Sequence, residues 1–361
     1  MKHPIPLPLK GTHLFIDNSG MNTYFQCPRM GAYSHSLKRK PASASPALIF
    51  GAAIHEAMEV RYRDHHDKPV ITEPVFDDMV TSLVDYYAEH GTELDASEHR
   101  NLSYAITTLS EYVTKHRYEQ PGTHYIEGEP CVEIPFCIPV GQFEINESIW
   151  VCDPDINSGD PTFKHIDTIT IWLTGKIDMI VKKGASLWIL DHKTTSMGGA
   201  GFFEEFQTAT QFKGYSWAAQ QLTGQPIRGV IINAMMCRKP KADGSINFDF
   251  ERATIPIHQE HVDEWKNTFL TAVSTFVQQH VDQTNFDSPE QSFPMQTSWC
   301  KGKYGKCKFY DVCTLRPSQR EQMLFSNLYV FDDWSPIKEE ARVNLGRVDH
   351  PKELPNVFPM S

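Results

Sequence analysis

Two aspartates and a lysine, Asp178, Asp191 and Lys193, lie within the segment TGKIDMIVKKGASLWILDHKTT at residues 174–195. Two neighbouring carboxylates repel each other, so such a pair is tolerated chiefly when a divalent cation lies between them. Oxygen ligands of this kind suit Mg²⁺ or Mn²⁺. A nearby ammonium group could orient or deprotonate a water molecule and offset charge that develops on a phosphate. These residue types therefore indicate metal-dependent phosphodiester hydrolysis.

This chemistry requires the three side chains to lie close together, and a β-hairpin would bring them together. Two runs of strand-forming residues, 169–181 and 187–190, flank a glycine-containing turn, which predicts adjacent antiparallel strands. Because side chains alternate along a strand, Asp191 and Lys193 should project to one face and His192 to the other. Taken alone, residues 191–193 (DHK) would be explained more simply as a polar strand end with a surface ion pair.

The rest of the chain supplies the elements that would complete such a site. Apolar residues at three- and four-residue intervals predict helices at about 48–63, 75–90, 97–117, 203–223 and 259–281. Strands are predicted at about 131–139, 168–182, 186–193 and 228–237. Gln211 and Tyr215 are four residues apart, so they share one face of the helix after the hairpin and can both point toward the metal.

The arrangement resembles the PD-(D/E)XK nuclease superfamily. The residues that carry the resemblance are Asp178 and the tripeptide Asp191-His192-Lys193, with Gly175 three residues before the first aspartate. The resemblance implies an α/β fold with an αβββαβ restriction-endonuclease-like core, in which helices flank a central mixed sheet. It also implies helical insertions, which we place at residues 64–130.

Two further matches point to the RecB-like branch of that superfamily. Gln211 and Tyr215 resemble its Q-x-x-x-Y element, and His55 matches the histidine that this branch places on an N-terminal helix as a metal ligand. By resemblance, His55, Asp178, Asp191 and the backbone carbonyl of His192 would hold Mg²⁺ or Mn²⁺. The resemblance also makes Asp178, Asp191, Lys193, Gln211 and Tyr215 the catalytic residues.

The eight cysteines give a second signal. Nothing at the N-terminus forms the apolar core of a secretion signal, and no run of 18 or more apolar residues occurs, so we expect a cytoplasmic protein in which disulfides are unfavoured. Clustered cysteines then point to metal binding. Three of them, Cys300, Cys307 and Cys313, lie in the segment 295–320, and Cys27 stands alone near the N-terminus.

This cysteine layout resembles that of iron-sulfur nucleases, including the AddB-type helicase-nucleases and the CRISPR-adaptation exonucleases. In those proteins four cysteines hold a 4Fe-4S cluster that joins the chain ends, which would here be Cys27, Cys300, Cys307 and Cys313. The spacing departs from the usual C-x2-C-x5-C, because six residues separate Cys300 from Cys307. A Zn²⁺ site made by the same four cysteines is the alternative.

Composition limits the possible organisation and partners. No Pro/Ser/Gly-rich linker divides the 361 residues, so we expect a single nuclease domain over 1–361. The formal net charge of -11 is unfavourable for approach to a polyanion. Bound divalent cations and local basic segments would have to offset this charge.

The sequence thus predicts an exonuclease that acts on single-stranded or resected DNA ends in recombination, repair or phage DNA processing. An endonuclease on the same core and a non-catalytic nucleic-acid-binding protein with the same fold are the alternatives. The intact aspartate pair with its lysine argues against the non-catalytic alternative. The sequence contains no G-x-x-x-x-G-K-[ST] loop, so any unwinding would need a helicase or recombination partner. No membrane partner is expected.

Overall fold

A computed structural model describes residues 3–43, 45–66, 68–90, 98–118, 122–153, 160–243, 245–302, 305–332 and 357–359. The helices are α1 (Asn18–Gln26), α2 (Pro28–Gly31), α3 (Pro46–Arg63), α4 (Glu73–His90), α5 (Leu102–His116), α6 (Ala200–Gln207), α7 (Thr210–Thr223), α8 (Gln259–Asp282), α9 (Tyr310–Thr314) and α10 (Pro317–Leu324). A π-helical turn covers Ala32–Ser36, and 3₁₀ turns cover Gln283–Asn285, Pro289–Ser292 and Thr297–Trp299. Among the helices in these ranges, none is long and apolar enough to cross a membrane.

The strands occur mainly in one block between α5 and α6, with further strands before and after it. They are β1 (Leu7–Lys10), β2 (His13–Asp17), β3 (Arg39–Pro41), β4 (Gly122–Thr123), β5 (Tyr125–Ile126), β6 (Glu129–Pro130), β7 (Val132–Cys152), β8 (Thr162–Lys183), β9 (Ser186–Thr195), β10 (Ile227–Arg238), β11 (Asn247–Pro256), β12 (Lys301–Gly302), β13 (Gly305–Lys306), β14 (Tyr329–Phe331) and β15 (Val357–Pro359). The chain divides into two compact units, unit 1 with Met1–Ser43, Pro135–Gly175 and Asp263–Ser361, and unit 2 with Ala44–Ile134 and Lys176–Val262.

Unit 2 contains four neighbouring strands of a mixed nine-stranded sheet, in the order β11-β10-β9-β8. Strand β9 is antiparallel to β8 and parallel to β10, and β10 is antiparallel to β11. Helices α3, α4 and α5 pack on this sheet through a core that includes Phe50, Ile54, Leu83, Leu109 and Met235. The apolar residues of α3 recur every four positions, which places them on one helix face against the sheet.

The order α3, β7, β8, β9, α7, β10 along the chain is the αβββαβ order predicted from the sequence. The expected fold class, a mixed α/β architecture with a central sheet flanked by helices, is confirmed. Helices α4 and α5 lie in the segment 64–130, between α3 and β7. The expectation of a single domain over 1–361 stays a prediction.

Unit 1 contains further strands and a hydrophobic core of its own. Strand β2 is parallel to the first part of β8, with Phe15 opposite Trp172, and antiparallel to β1. Strand β7 is parallel to both β1 and β15. The core of this unit joins N-terminal and C-terminal segments through buried side chains, among them Ile5, Tyr33, Phe293, Phe309 and Leu324.

Several element predictions differ from the structure. The helix predicted at 203–223 is two helices, because the backbone of Ala209 leaves the helical region between α6 and α7 (φ -59°, ψ 122°). The helix predicted at 97–117 begins only at Leu102, where the Asn101 side chain caps the amide of Tyr104 at 3.0 Å. Strand β7 continues to Cys152, beyond the predicted 131–139, and β1, β2 and β11 are among the elements that were not predicted.

Candidate active site

The predicted hairpin is formed by β8 and β9 around a turn at Gly184, whose φ of 63° is a conformation that glycine adopts at little cost. Met179 pairs with Leu190 across the two strands. Asp178 and Asp191 each lie one residue beyond that pair, so the hairpin register brings the two aspartates to the same end of the sheet.

Asp191 and Lys193 form an ion pair with 2.7 Å between Oδ2 and Nζ. The Asp191 side chain is 1% exposed and the Lys193 side chain 28% exposed. Burial alone would lower the pKa of Lys193, but the charges of Asp191 and Asp178 outweigh it and raise that pKa above its usual value. Lys193 therefore carries a positive charge at neutral pH.

Asp178 lies between charged groups of both signs. Its Oδ2 accepts a hydrogen bond from the main-chain amide of His192 at 2.8 Å, and Nδ1 of His55 lies 3.5 Å from the same oxygen. Burial raises the pKa of Asp178 to about 7, and repulsion from Asp191 adds to the rise although His55 opposes it. Because the charged form of this carboxyl group is destabilised, a bound cation would stabilise it.

His55 lies on α3 and faces the carboxylates with one ring nitrogen. Nδ1 is 3.5 Å from Asp178 and 3.9 Å from Glu133, and Nε2 is hydrogen bonded to the carbonyl of His192 at 2.9 Å. Burial alone would lower the pKa of His55, but Asp178 and Glu133 outweigh it and raise that pKa to about 9. The ring is thus oriented by one main-chain bond toward two acidic side chains.

Glu133 is a third carboxylate at this position, and it was not among the residues predicted from the sequence. It lies on β7, 8% exposed, and Oε2 is 2.8 Å from Nζ of Lys176. Burial alone would raise the pKa of Glu133, but the hydrogen bond to His55 and the charge of Lys176 lower it. Its φ of 47° is uncommon for a residue with a side chain.

His55, Glu133 and Asp178 offer one imidazole nitrogen and two carboxylate oxygens that all lie within 4.8 Å of one another. Opposite ligands of an octahedral ion with bonds of about 2.1 Å lie about 4.2 Å apart, so this spread requires little adjustment. Nitrogen and oxygen donors together fit Mn²⁺ or Mg²⁺. The side chains present therefore fit a divalent cation.

Gln211 and Tyr215 lie one turn apart on α7, as predicted, and both are half-buried. Between them in sequence, the ring of Phe212 has its centre 5.6 Å from Nζ of Lys193. This contact places the first turn of α7 beside the lysine. The catalytic roles of Gln211 and Tyr215 stay predictions.

The four predicted cysteines lie together in unit 1. Cys27, Cys300, Cys307 and Cys313 all line one small pocket, which is closed by Met30, Trp299, Phe309 and Tyr310 among others. Within this segment the amide of Cys307 donates to the carbonyl of Cys300 at 3.0 Å. Together with the antiparallel pairing of β12 and β13, this bond keeps Cys300 and Cys307 at the pocket.

Arg29, two residues after Cys27, links the N-terminal segment to the main chain that precedes the three C-terminal cysteines. It donates hydrogen bonds to the carbonyls of Phe293 at 3.1 Å and Glu290 at 3.0 Å. On the other side, Arg320 donates to the carbonyl of Cys313 at 3.2 Å. These bonds fix the main chain on either side of the pocket without using the thiols.

A sequence profile of the PD-(D/E)XK nuclease superfamily matches residues 18–314 of the chain. The protein therefore belongs to the PD-(D/E)XK nuclease superfamily, whose members use divalent metals. Among curated proteins, none matches the sequence significantly. A solved structure titled "Crystal structure of SSO0001" matches at 9% identity and a TM-score of 0.21, covering 66% of this chain and 84% of that chain.

Proposed function

We propose that the protein is a divalent-metal-dependent DNA nuclease. The observation that carries the proposal is the convergence of His55, Glu133 and Asp178 within 4.8 Å of one another, next to the ion pair of Asp191 and Lys193, in a chain of this superfamily. In that position a divalent ion, when bound, supplies Lewis-acid activation of a phosphate oxygen and lowers the pKa of a water molecule. His55, Glu133, Asp178 and Asp191 would hold it, with the carbonyl of His192 nearby.

Lys193 acts in this proposal as a fixed positive charge. Its raised pKa keeps the ammonium protonated at neutral pH, so it stabilises negative charge on the phosphate and orients the attacking water. Asp191 holds the ammonium in place through the 2.7 Å ion pair. Because Asp191 is buried, little water competes for this pair.

Gln211 and Tyr215 are proposed to contact the phosphate or to orient Lys193. The support is their position on the helix whose Phe212 ring adjoins the lysine. An amide and a phenol can both donate hydrogen bonds to phosphate oxygens without adding charge. Replacing either residue should therefore lower the turnover rate more than it lowers the affinity for the metal.

For the substrate, we propose single-stranded or resected DNA ends, as in the RecB-like branch. The support is the set of residues His55, Gln211 and Tyr215, which that branch combines with the acidic core. A recombination, repair or phage setting belongs to the same proposal, and any unwinding would come from a helicase partner.

The test uses purified protein with Mn²⁺ or Mg²⁺ and three substrates: end-labelled single strands, end-labelled duplexes and closed single-stranded circles. Cleavage of linear strands with intact circles supports the exonuclease. Cleaved circles would instead identify an endonuclease, and binding without cleavage in both metals would overturn the catalytic proposal. Asp191→Asn is the control, because it removes charge from the site while keeping the side-chain shape.

We also propose that Cys27, Cys300, Cys307 and Cys313 hold a 4Fe-4S cluster. All four line one pocket. The layout of one N-terminal and three C-terminal cysteines, which resembles that of the iron-sulfur nucleases, favours the cluster over the zinc alternative.

Two of the four thiols resist ionisation in the metal-free protein. Burial raises the pKa of Cys307, and it raises the pKa of Cys313 to about 12, where the neighbouring Cys27 and Cys307 add to the rise although Arg29 opposes it. A metal of either kind, when bound, would supply the positive charge that turns these two thiols into thiolates. Anaerobic purification with iron and zinc analysis decides between the two: iron in excess of one atom per chain supports the cluster, and one zinc atom without iron overturns it.

A further inference from the structure

A buried polar row crosses the otherwise apolar face of the unit 2 sheet. His192 pairs with Asn233 across β9 and β10, and Asn233 pairs with Arg252 across β10 and β11. On the same face of β10, Met235 and Cys237 belong to the apolar core. Asn233 is 1% exposed and His192 3% exposed. Because burying polar groups is costly unless they are hydrogen bonded, this row needs a physical reason.

The orientation of the Asn233 amide follows from its neighbours. A guanidinium can only donate hydrogen bonds, so Oδ1 of Asn233 must be the atom that faces Nε of Arg252 at 2.9 Å. The two hydrogens of Nδ2 are then directed to Oη of Tyr112 at 2.9 Å and to Nδ1 of His192 at 2.7 Å. Arg252 also donates to the Tyr112 hydroxyl at 2.8 Å, which closes the network.

This network determines how the His192 ring is held. Since Nδ1 accepts from Asn233, the neutral ring carries its proton on Nε2. Within the described part of the chain Nε2 has no hydrogen-bond partner, so Asn233 provides the polar contact that fixes the ring. The ring of Tyr62 stacks on the imidazole with 5.7 Å between ring centres and an angle of 19°.

The main chain of His192 in turn orients two members of the candidate metal set. Its amide donates to Oδ2 of Asp178, and its carbonyl is hydrogen bonded to Nε2 of His55. A shift of this residue would therefore misplace a carboxylate and an imidazole together. The ring of His192 also meets the ring of His55 edge-on, with 5.9 Å between ring centres, and its position determines where the main-chain groups lie.

We infer that Asn233 is a positioning residue for the metal site: oriented by Arg252 and Tyr112, it fixes the His192 side chain and thereby the main-chain groups that orient Asp178 and His55. The inference rests on the proposed metal-dependent function. Residues that orient metal ligands typically contribute 10–100-fold to metal affinity, so the effect should be measurable without any assay of cleavage.

The first test measures Mn²⁺ affinity by electron paramagnetic resonance for the wild type, Asn233→Ala and Cys237→Ala. Cys237 is the matched control, because it is equally buried, on the same face of β10, and outside the polar row. We expect Asn233→Ala to bind Mn²⁺ about 10–100-fold more weakly and Cys237→Ala to bind as the wild type does. A folded Asn233→Ala protein with wild-type affinity would overturn the inference.

The second test separates the hydrogen bond from general packing. Asn233→Asp keeps the side-chain shape but offers only acceptors, so Nδ1 of His192 must become the donor. The ¹⁵N spectrum of histidine-labelled protein, with the His192 signal assigned by its loss in His192→Gln, should show Nδ1 unprotonated in the wild type and protonated in Asn233→Asp. Mn²⁺ affinity should stay within about threefold of the wild type, because the bond that positions the ring is kept. An unchanged Nδ1 signal would overturn the inference even if Asn233→Ala does not fold.

The outcomes also separate this inference from the proposed function. A wild type that binds Mn²⁺ but cleaves no DNA overturns the nuclease proposal and leaves the positioning role of Asn233 intact. A wild type that cleaves DNA, with unchanged metal affinity in Asn233→Ala, overturns the positioning role alone. A wild type that binds no Mn²⁺ overturns both.

Discussion

The main-chain amide of His192 donates a 2.8 Å hydrogen bond to the side chain of Asp178 on the neighbouring strand. The donor belongs to the main chain of β9, so the carboxylate is held in place as long as His192 itself keeps its position. Asp178 is therefore oriented before any cation arrives. Such preorganisation reduces the reorganisation needed on metal binding or during reaction.

Replacement of Lys193 by methionine should abolish most of the catalytic activity. The substitution keeps much of the stem that lies near Phe212 but removes the positive charge, so negative charge on the phosphate loses its partner. We expect kcat on linear single-stranded DNA to fall by about 10²–10³-fold. Steady-state cleavage of an end-labelled oligonucleotide in Mn²⁺ measures the loss.

Lys183→Met is the matched control for this experiment. Lys183 lies on the same hairpin, but it is exposed at the turn, where Nζ donates to Thr254 at 3.1 Å. Its loss should leave kcat within about twofold of the wild type, since exposed contacts contribute little. Equal losses in the two variants would show that the Lys193 charge has no special role.

Metal binding should release protons and strengthen as the pH rises. A cation needs His55 neutral and Asp178 ionised, whereas in the metal-free protein their pKa values are about 9 and about 7. Near pH 8 about one proton should leave per Mn²⁺ bound, and near pH 6 about two. Calorimetric titration in two buffers with different ionisation enthalpies counts these protons. His66→Gln, which changes an exposed histidine after α3, is the control and should leave the count unchanged.

The same two groups predict how the stability of the metal-free protein depends on pH. The folded-state pKa of His55 is raised above its usual 6.5, so its contribution is full below that pH and is lost as the pH rises through about 9. Asp178 is also raised, from 3.8 to about 7, so its protonated form adds stability at low pH that is lost as the pH rises through that value. Without metal, the free energy of unfolding in urea should therefore fall from pH 3.8 to about 7 because of Asp178, and from pH 6.5 to about 9 because of His55. Constant stability across the lower range would contradict the Asp178 shift, and constant stability across the upper range the His55 shift.

The hairpin could be predicted from the sequence because its information is local. Alternation with a period of two placed Asp191 and Lys193 on one face, and the structure joins them in an ion pair. The turn at Gly184 fixed the register that brings Asp178 opposite. The grouping of the four cysteines could not be predicted from their spacing alone. That prediction came from the resemblance to iron-sulfur nucleases.

Glu133 could not be predicted in this way, because it reaches the site from β7, far from the hairpin in sequence. The only local signal is a single charged residue inside the apolar run CVEIPFC, and such a residue must find partners if it is buried. Those partners, His55 and Lys176, are visible only in three dimensions. The Asn233 network could not be predicted for the same reason, because its residues on β9, β10 and β11 come together only after folding.

Glu133→Gln should weaken Mn²⁺ binding by about tenfold or more, because it replaces a charged oxygen ligand by a neutral one of the same shape. Glu129→Gln is the matched control, since Glu129 is an exposed glutamate four residues earlier on β6. Electron paramagnetic resonance of bound Mn²⁺ measures both affinities. If the two variants bind Mn²⁺ equally well, Glu133 is only the ion-pair partner of Lys176.

Cys313→Ser should remove the iron and destabilise unit 1. Serine is nearly isosteric but a poor ligand for iron, so the cluster loses one of its four attachments, and the chain loses the link between Cys27 and the C-terminal cysteines. We expect the visible absorbance of the wild type to disappear and the melting temperature to fall by several degrees, about 2–4 °C for each 1 kcal/mol lost. Cys152→Ser, at the end of β7 and outside the pocket, is the control and should keep both the iron and the melting temperature. A Cys313→Ser protein that retains wild-type iron content would show that this thiol is not a ligand.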